Sequence, residues 1–217
     1  MKKIIFCPIT LQPSESFKAI YDVKQQDFFD GSTYSKKIYY PINVALANDL
    51  QKDDEVKVVL IRTKDERRKD SDKIYKANLE KFTTEFSEIC DSVGAISNIK
   101  NPVIIESEFK ETRDVFEERF MKFFEVLEDN VEIYADTTFG SRVFSMILMN
   151  VLNFAEKFFN AELKSVVYGQ TSINNGEASD GIVYDISSLY YLNNITYALK
   201  AESGKEAIEA FKAFLND

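Results

Sequence analysis

The sequence predicts an α/β fold: a Rossmann-like three-layer sandwich around a mainly parallel six-stranded sheet with one antiparallel edge strand. Three observations predict it. Short β-rich runs alternate with longer segments whose apolar residues recur at helical spacing. A small polar junction, Asp136-Thr137-Thr138-Phe139-Gly140-Ser141-Arg142, separates a strand-like run from the most apolar helix-like run, as where a parallel strand hands over to its crossover helix. The spacer before the last strand, Gly169 to Asp180, is short and rich in Asn, Ser and Gly, which favours a hairpin over a helical crossover.

In order, Lys3 to Ile9 is a short buried first strand ending near Pro8. Thr10 to Ile38 is a long polar stretch read as a loop or small hairpin over the site, because long loops inside compact domains are usually functional or mobile. Pro41 to Gln51 reads as a helix with Val44, Ala45 and Leu50 facing inward, and Val56 to Ile61 as the second strand. The Lys64 to Lys73 charge run reads as a solvated approach to a helix over Asp72 to Val93, which Gly94 stops. Val103 to Ile105 is the third strand, Glu111 to Leu127 a helix, and Val131 to Ala135 the fourth strand. The helix Ser141 to Asn160 follows. It carries Met146, Met149, Leu152 and Phe154 beside its core stripe, which predicts burial on a second side against another copy. Leu163 to Tyr168 and Gly181 to Ile186 are the last strands, and helices near Ser188 to Lys200 and Lys205 to Leu215 close the chain.

At 217 residues and 45% hydrophobic content, the chain suits one domain over 1–217: a core to about residue 187, then the C-terminal helices. A net charge of −9 argues against a general binder of duplex DNA or anionic membranes, whose affinity comes from clustered Lys and Arg. No stretch reaches the ~18 apolar residues of a membrane span. The apolar run after Met1-Lys2-Lys3 stops too soon, at Pro8, for a secretory signal. Cys7 and Cys90 suit reduced buried thiols, and the expected location is cytoplasmic.

The junction is the chemical centre of this reading. Free N–H groups of the following helix's first turn, with Gly140, Thr137, Thr138, Ser141 and Arg142, offer an anion several short donors, and a phosphate is the natural guest. The plainer alternative is that Asp136, Thr138 or Ser141 only caps the helix and Gly140 only relieves a turn. With no histidine in the chain, Ser-His-Asp and Cys-His chemistry and the common zinc sites are excluded. Neither a GxGxxG after the first strand nor a GxxxxGK[ST] occurs. Glu106, Glu108, Glu111 and Asp114 read as a solvated acidic helix start in preference to a metal site; no metal and no cofactor are expected.

Element order, the 136–142 junction, Tyr168-Gly169, Asp185-Ile186-Ser187 and Glu202-Ser203-Gly204 together resemble the CARF proteins, the CRISPR-associated Rossmann-fold sensors of type III CRISPR systems. The likeness spans nearly the whole chain on short motifs. The family's better-known junction is an Asp-Ile-Thr-His-Gly-Phe-Arg type run, and here Phe139 stands where His is common and Ser141 where Phe is common. The resemblance implies a homodimer holding a cyclic oligoadenylate, such as cyclic tetra-adenylate, on its two-fold axis in antiviral signalling. It implies ligand contacts from Thr10 and Gln12, from Asp136, Thr137, Thr138, Phe139, Gly140, Ser141 and Arg142, and from Tyr168, Gly169, Gln170 and the Asn174-Asn175-Gly176 hairpin. For Tyr168 a core or edge aromatic is the competing role.

Three readings stay open: a metal-independent ring nuclease using Ser141, Arg142 and Thr10, a stand-alone sensor, or the sensor part of a longer effector. A Rossmann-like enzyme or binding protein for another nucleotide, unrelated to CRISPR, is the alternative.

Overall fold

A computed structural model describes residues 1–13, 21–22, 37–174 and 177–216. The chain runs β1 (Lys2–Pro8), β2 (Tyr21–Asp22), α1 (Ile42–Asp49), β3 (Glu55–Lys64), α2 (Ser71–Val93), β4 (Ile96–Ser97) and β5 (Val103–Glu108). It continues through α3 (Arg113–Phe124), β6 (Glu132–Asp136), α4 (Arg142–Phe159), β7 (Glu162–Asn174), β8 (Glu177–Asp185), α5 (Ser187–Ala198) and α6 (Gly204–Asn216). The sheet order is β2-β8-β7-β6-β1-β3-β4, with β5 also paired to β3. Every pairing among the named strands is parallel except β7 with β8. The six long strands therefore follow the doubly wound Rossmann order with an antiparallel last strand, as expected. The expected edge is capped further, because Tyr21–Asp22 pairs outside β8 and Tyr21 bridges to Ile38. The rest of the Thr10 to Ile38 stretch, from 14 to 20 and from 23 to 36, lies outside the described residues.

Side chains alternate across the central strands, and this alternation builds the three layers. Ile5, Cys7, Val56, Val58, Leu60 and Tyr134 join α1 and α2 in one core, where Tyr40, Phe82 and Phe86 are fully buried. Ile4, Phe6, Val59, Ile61, Ile133 and Ala135 face Phe123 of α3, Phe144, Leu148 and Val151 of α4, and Tyr190 of α5. Burying each large aliphatic or aromatic side chain contributes about 1.5–3 kcal/mol against conformational entropy. Gly94 ends α2 at φ +77, as its sequence position predicts, and its N–H reaches the Cys90 carbonyl.

Two local expectations change. β5 runs on to Glu108, so Glu106 and Glu108 are strand residues and not a helix start: Glu106 pairs with Arg62 and Lys64 across the ladder, and Glu108 pairs with Lys110. Only Asp114 is an acid of the first turn of α3. On α4, Leu152 turns fully inward and Phe154 stacks on Phe124 at 4.3 Å, so neither belongs to an outer face; Met146 does, being largely exposed. Among the described residues no helix is long and apolar enough to cross a membrane.

Candidate functional site

β1 and β6 are adjacent and parallel, yet β1 sends its chain to α1 on one face and β6 sends its chain to α4 on the other. Their carboxyl ends therefore splay apart and leave a crevice at the topological switch point. A cavity of about 390 Å³ occupies it. The exit of β1 lines one side through Thr10, Leu11 and Gln12, and Thr138, Phe139, Gly140 and Ser141 line the other. Thr63, Arg68 and Phe109 complete the wall. A somewhat larger hollow, about 460 Å³, sits at the opposite end of the strands near Lys2, Lys57 and Glu128, away from the crossover loops. The switch-point cavity is the better candidate because loop donors converge on it.

The β1 exit is held from behind. Asn78 of α2, fully buried, donates through Nδ2 to the carbonyls of Thr10 and Gln12, both at 2.9 Å, and Arg68 Nη1 donates to the Leu11 carbonyl at 2.9 Å. Thr10 is buried, and its hydroxyl oxygen accepts the Gln12 N–H at 3.1 Å. Opposite, Ser141 caps α4 by accepting the Phe144 N–H at 3.1 Å, and Gly140 turns the chain at φ +100, where a side chain would be strained. Ser141 and Gly140 thus do the capping and turning work and also line the cavity.

Beneath the loop, Asp136 is completely buried and accepts N–H bonds from Thr138 at 2.7 Å and from Ile42, at the start of α1, at 3.3 Å. Burial pushes its carboxyl up to about 6 against those hydrogen bonds, which favour the charged form. Thr137 bonds the Val167 carbonyl through both N–H and hydroxyl, and Phe139 is buried edge-on to Tyr40. Asp136 and Thr137 therefore support the loop from below and do not line the cavity.

Arg142 opens α4 on the surface, outside the cavity lining. Tyr168, Gly169 and Gln170 lie on β7, one strand further on; Tyr168 and Gln170 are exposed, and the Gly169 N–H is bound by Thr138. Asn174 pairs with Glu177 through its strand position, while Asn175 and Gly176 lie outside the described residues.

Arg68, Thr63 and Phe109 were not singled out from sequence. Arg68 sits inside the charge run read as a solvated approach, and among the described residues lining the cavity it is the only charged one. Among its described lining residues, the pocket of this acidic protein thus carries one guanidinium and no carboxylate, with a helix N-terminus beside it, an arrangement that favours an anion. Buried Arg119 ties down the loop that presents Phe109, donating to the Ser107 hydroxyl at 2.5 Å and the Glu108 carbonyl at 2.8 Å. Groups of acidic residues and cysteines that would suit a metal ion are absent among the described residues. No family model and no curated protein matches this chain.

Proposed function

We propose that the switch-point cavity binds a cyclic oligoadenylate, with cyclic tetra-adenylate the first candidate, and that the protein is a homodimeric sensor of the CARF type in type III CRISPR antiviral signalling. The observation that carries the reading is the convergence of Thr10, Gln12, Gly140, Ser141 and Arg68 on one cavity beside the α4 N-terminus, whose described lining residues include no carboxylate. Phosphates of a ring nucleotide suit the cationic and hydroxyl wall, and the Phe109 ring offers a base an apolar surface. A cytoplasmic setting fits two free, buried thiols.

Ring cleavage is a second reading, favoured by the two hydroxyls. Thr10 and Ser141 each accept one backbone N–H, which leaves their own protons to donate to a phosphoryl oxygen. The nucleophile would be the adenylate's 2′-hydroxyl, attacking the adjacent phosphorus as the 5′-oxygen leaves with a proton. The product is a linear chain ending in a 2′,3′-cyclic phosphate, with no metal needed.

Thermal shift with cyclic tri-, tetra- and hexa-adenylate, beside ATP and NAD, tests binding. A ligand at 100 times its Kd adds roughly 2.7 kcal/mol of stability. Stabilisation by ATP or NAD alone moves the protein to the other-nucleotide reading, and no response to any ring removes the sensor.

A further inference from the structure

Phe109 stands at the wall of the switch-point cavity with 45% of its surface exposed. An exposed phenylalanine alone calls for no explanation. What singles this one out is how firmly it is held. Its own N–H donates to the Lys64 carbonyl at 2.8 Å, and the carbonyls of its two neighbours, Glu108 and Lys110, both accept from Nη2 of the buried Arg119, at 2.8 and 3.3 Å. A guanidinium is thus taken out of water to fix the backbone on both sides of an exposed ring.

The ring is fixed as well. Arg67 lays its guanidinium over it, 4.8 Å from the centroid, and is itself held by Asp65 through Nε at 2.8 Å and Nη2 at 2.9 Å. Phe109 is among the described lining residues of the cavity and Arg67 is not, so the covered face is the one turned away. On its inner side the ring closes a hollow of about 10 Å³ bounded by Ile105, Ser107, Arg119 and Phe144. That is room for one water at most, so the ring has nowhere to swing. Its other face looks onto the cavity.

We infer that Phe109 is the base-recognition residue of this site: each chain holds one nucleotide unit, its phosphate on Thr10, Ser141 and Arg68 and its base, a purine, stacked on the cavity face of Phe109. The assignment rests on the nucleotide reading of the cavity and adds which part of the ligand each wall takes. One unit per chain follows from size, because about 390 Å³ lies at the lower end of the roughly 300–1,000 Å³ of small-ligand sites, too little for a whole ring. A purine follows from the platform, since two fused rings cover more of a phenyl face than a pyrimidine does. Arg67 on the far face draws π density away from the near one, which suits an electron-rich base.

The chain has no tryptophan, so Phe109→Trp puts a single indole on the platform. Cyclic tetra-adenylate should quench that indole saturably, and inorganic tripolyphosphate, which carries no base, should not. In calorimetry Phe109→Leu should bind the ring roughly tenfold more weakly than wild type, within the range that aromatic stacking contributes per base, and Phe109→Trp at least as tightly. A ring that binds with the indole unquenched, or equally well to the leucine variant, overturns the platform and leaves the sensor standing. Where the wild type takes ATP or NAD and no ring, the same variants are titrated with that nucleotide. A quench and a tenfold loss then uphold the platform without the sensor, and their absence removes it. A wild type that binds none of these nucleotides removes both. The quench is read at the position itself, so it decides even if Phe109→Leu melts early.

Discussion

The hydroxyl oxygen of Thr138 accepts the backbone N–H of Gly169 at 2.8 Å, fastening the loop that forms one rim of the cavity to strand β7. Thr138→Val keeps the shape but leaves that N–H unpaired at a partly buried position, a loss of about 1–3 kcal/mol. Urea denaturation should show it, and Thr138→Ser should recover most of it. Equal stability of the valine and wild-type proteins would show that the bond is dispensable.

Gly169 is required for a different reason. A Cβ there would lie 2.4 Å from Pro41 Cγ and 2.5 Å from Tyr21 Cε1, so β7, the start of α1 and the short β2 cannot all keep their places. Gly169→Ala should cost about 1–3 kcal/mol, as overpacking does. A chain of this size then melts several degrees lower by calorimetry; an unchanged melting temperature contradicts the close approach.

Stability should fall as pH rises from about 5 to 7, above the range in which the carboxylates held low by hydrogen bonds and ion pairs, Asp54, Asp65, Glu106, Glu108 and Glu128, still titrate in the unfolded chain. Asp136 is raised by burial from 3.8 to about 6, and Glu85 from 4.5 to about 7, against hydrogen bonds from Thr138 and Ile42 in the first case and from Tyr39, Asn43 and Tyr40 in the second. Each folded pKa lies above its unfolded value, so the folded state holds more protons inside this window. The contribution is complete below the unfolded values and is lost as pH passes through the folded ones. Asp136→Asn should remove the lower half of the slope. Chemical denaturation at half-unit steps decides it, and stability that climbs across the window refutes the sign.

If the cavity holds phosphate, Arg68→Ala should weaken cyclic oligoadenylate binding by about 1.5–3 kcal/mol, the scale of a charge-assisted hydrogen bond. Arg142, exposed and off the cavity of a single chain, separates two geometries. A comparable loss in Arg142→Ala means that the ligand reaches over the α4 N-terminus, and no loss confines it to the crevice. Titration calorimetry with both variants reads this directly; full affinity in Arg68→Ala takes that residue out of the site.

Cleavage, if present, should proceed in EDTA and leave a 2′,3′-cyclic phosphate. Thr10→Ala or Ser141→Ala should then slow the cut more than it weakens binding, because a contact made mainly in the transition state lowers turnover selectively. Ser141→Ala also removes a helix cap worth about 1 kcal/mol, so turnover is compared below its melting range. Intact ring after hours with protein in excess excludes the enzyme and leaves the sensor.

Much of the fold was legible because its signals are local. The near-continuous β-branched and apolar run Val56–Ile61 and the helical recurrence through Phe82, Phe86 and Ile89 are each signals of a short stretch of backbone, and the structure forms both elements there. The 136–142 junction was legible for the same reason, as polar residues between two buried runs. By itself the sequence determined the order of the six long strands and the six helices and the hairpin before the last strand; which of Asp136, Thr138 and Ser141 caps α4 was decided by the structure, in favour of Ser141.

Only the tertiary structure decided which polar residues face the cavity. Asp136 and Thr138 are two residues apart, yet one is sealed beneath the loop and the other reaches its rim, because the carboxylate is bound by Ile42, which is distant in sequence. Arg68 looked like one solvated charge among many until β1 and α2 were brought together and its guanidinium met the Leu11 carbonyl. Gly169 carried no local sign of a close approach, since the atoms it must avoid belong to Pro41 and Tyr21, far earlier in the chain. Local periodicity records how a segment curls; which side chains converge is set by contacts between segments far apart in the chain, and no short window of sequence contains them.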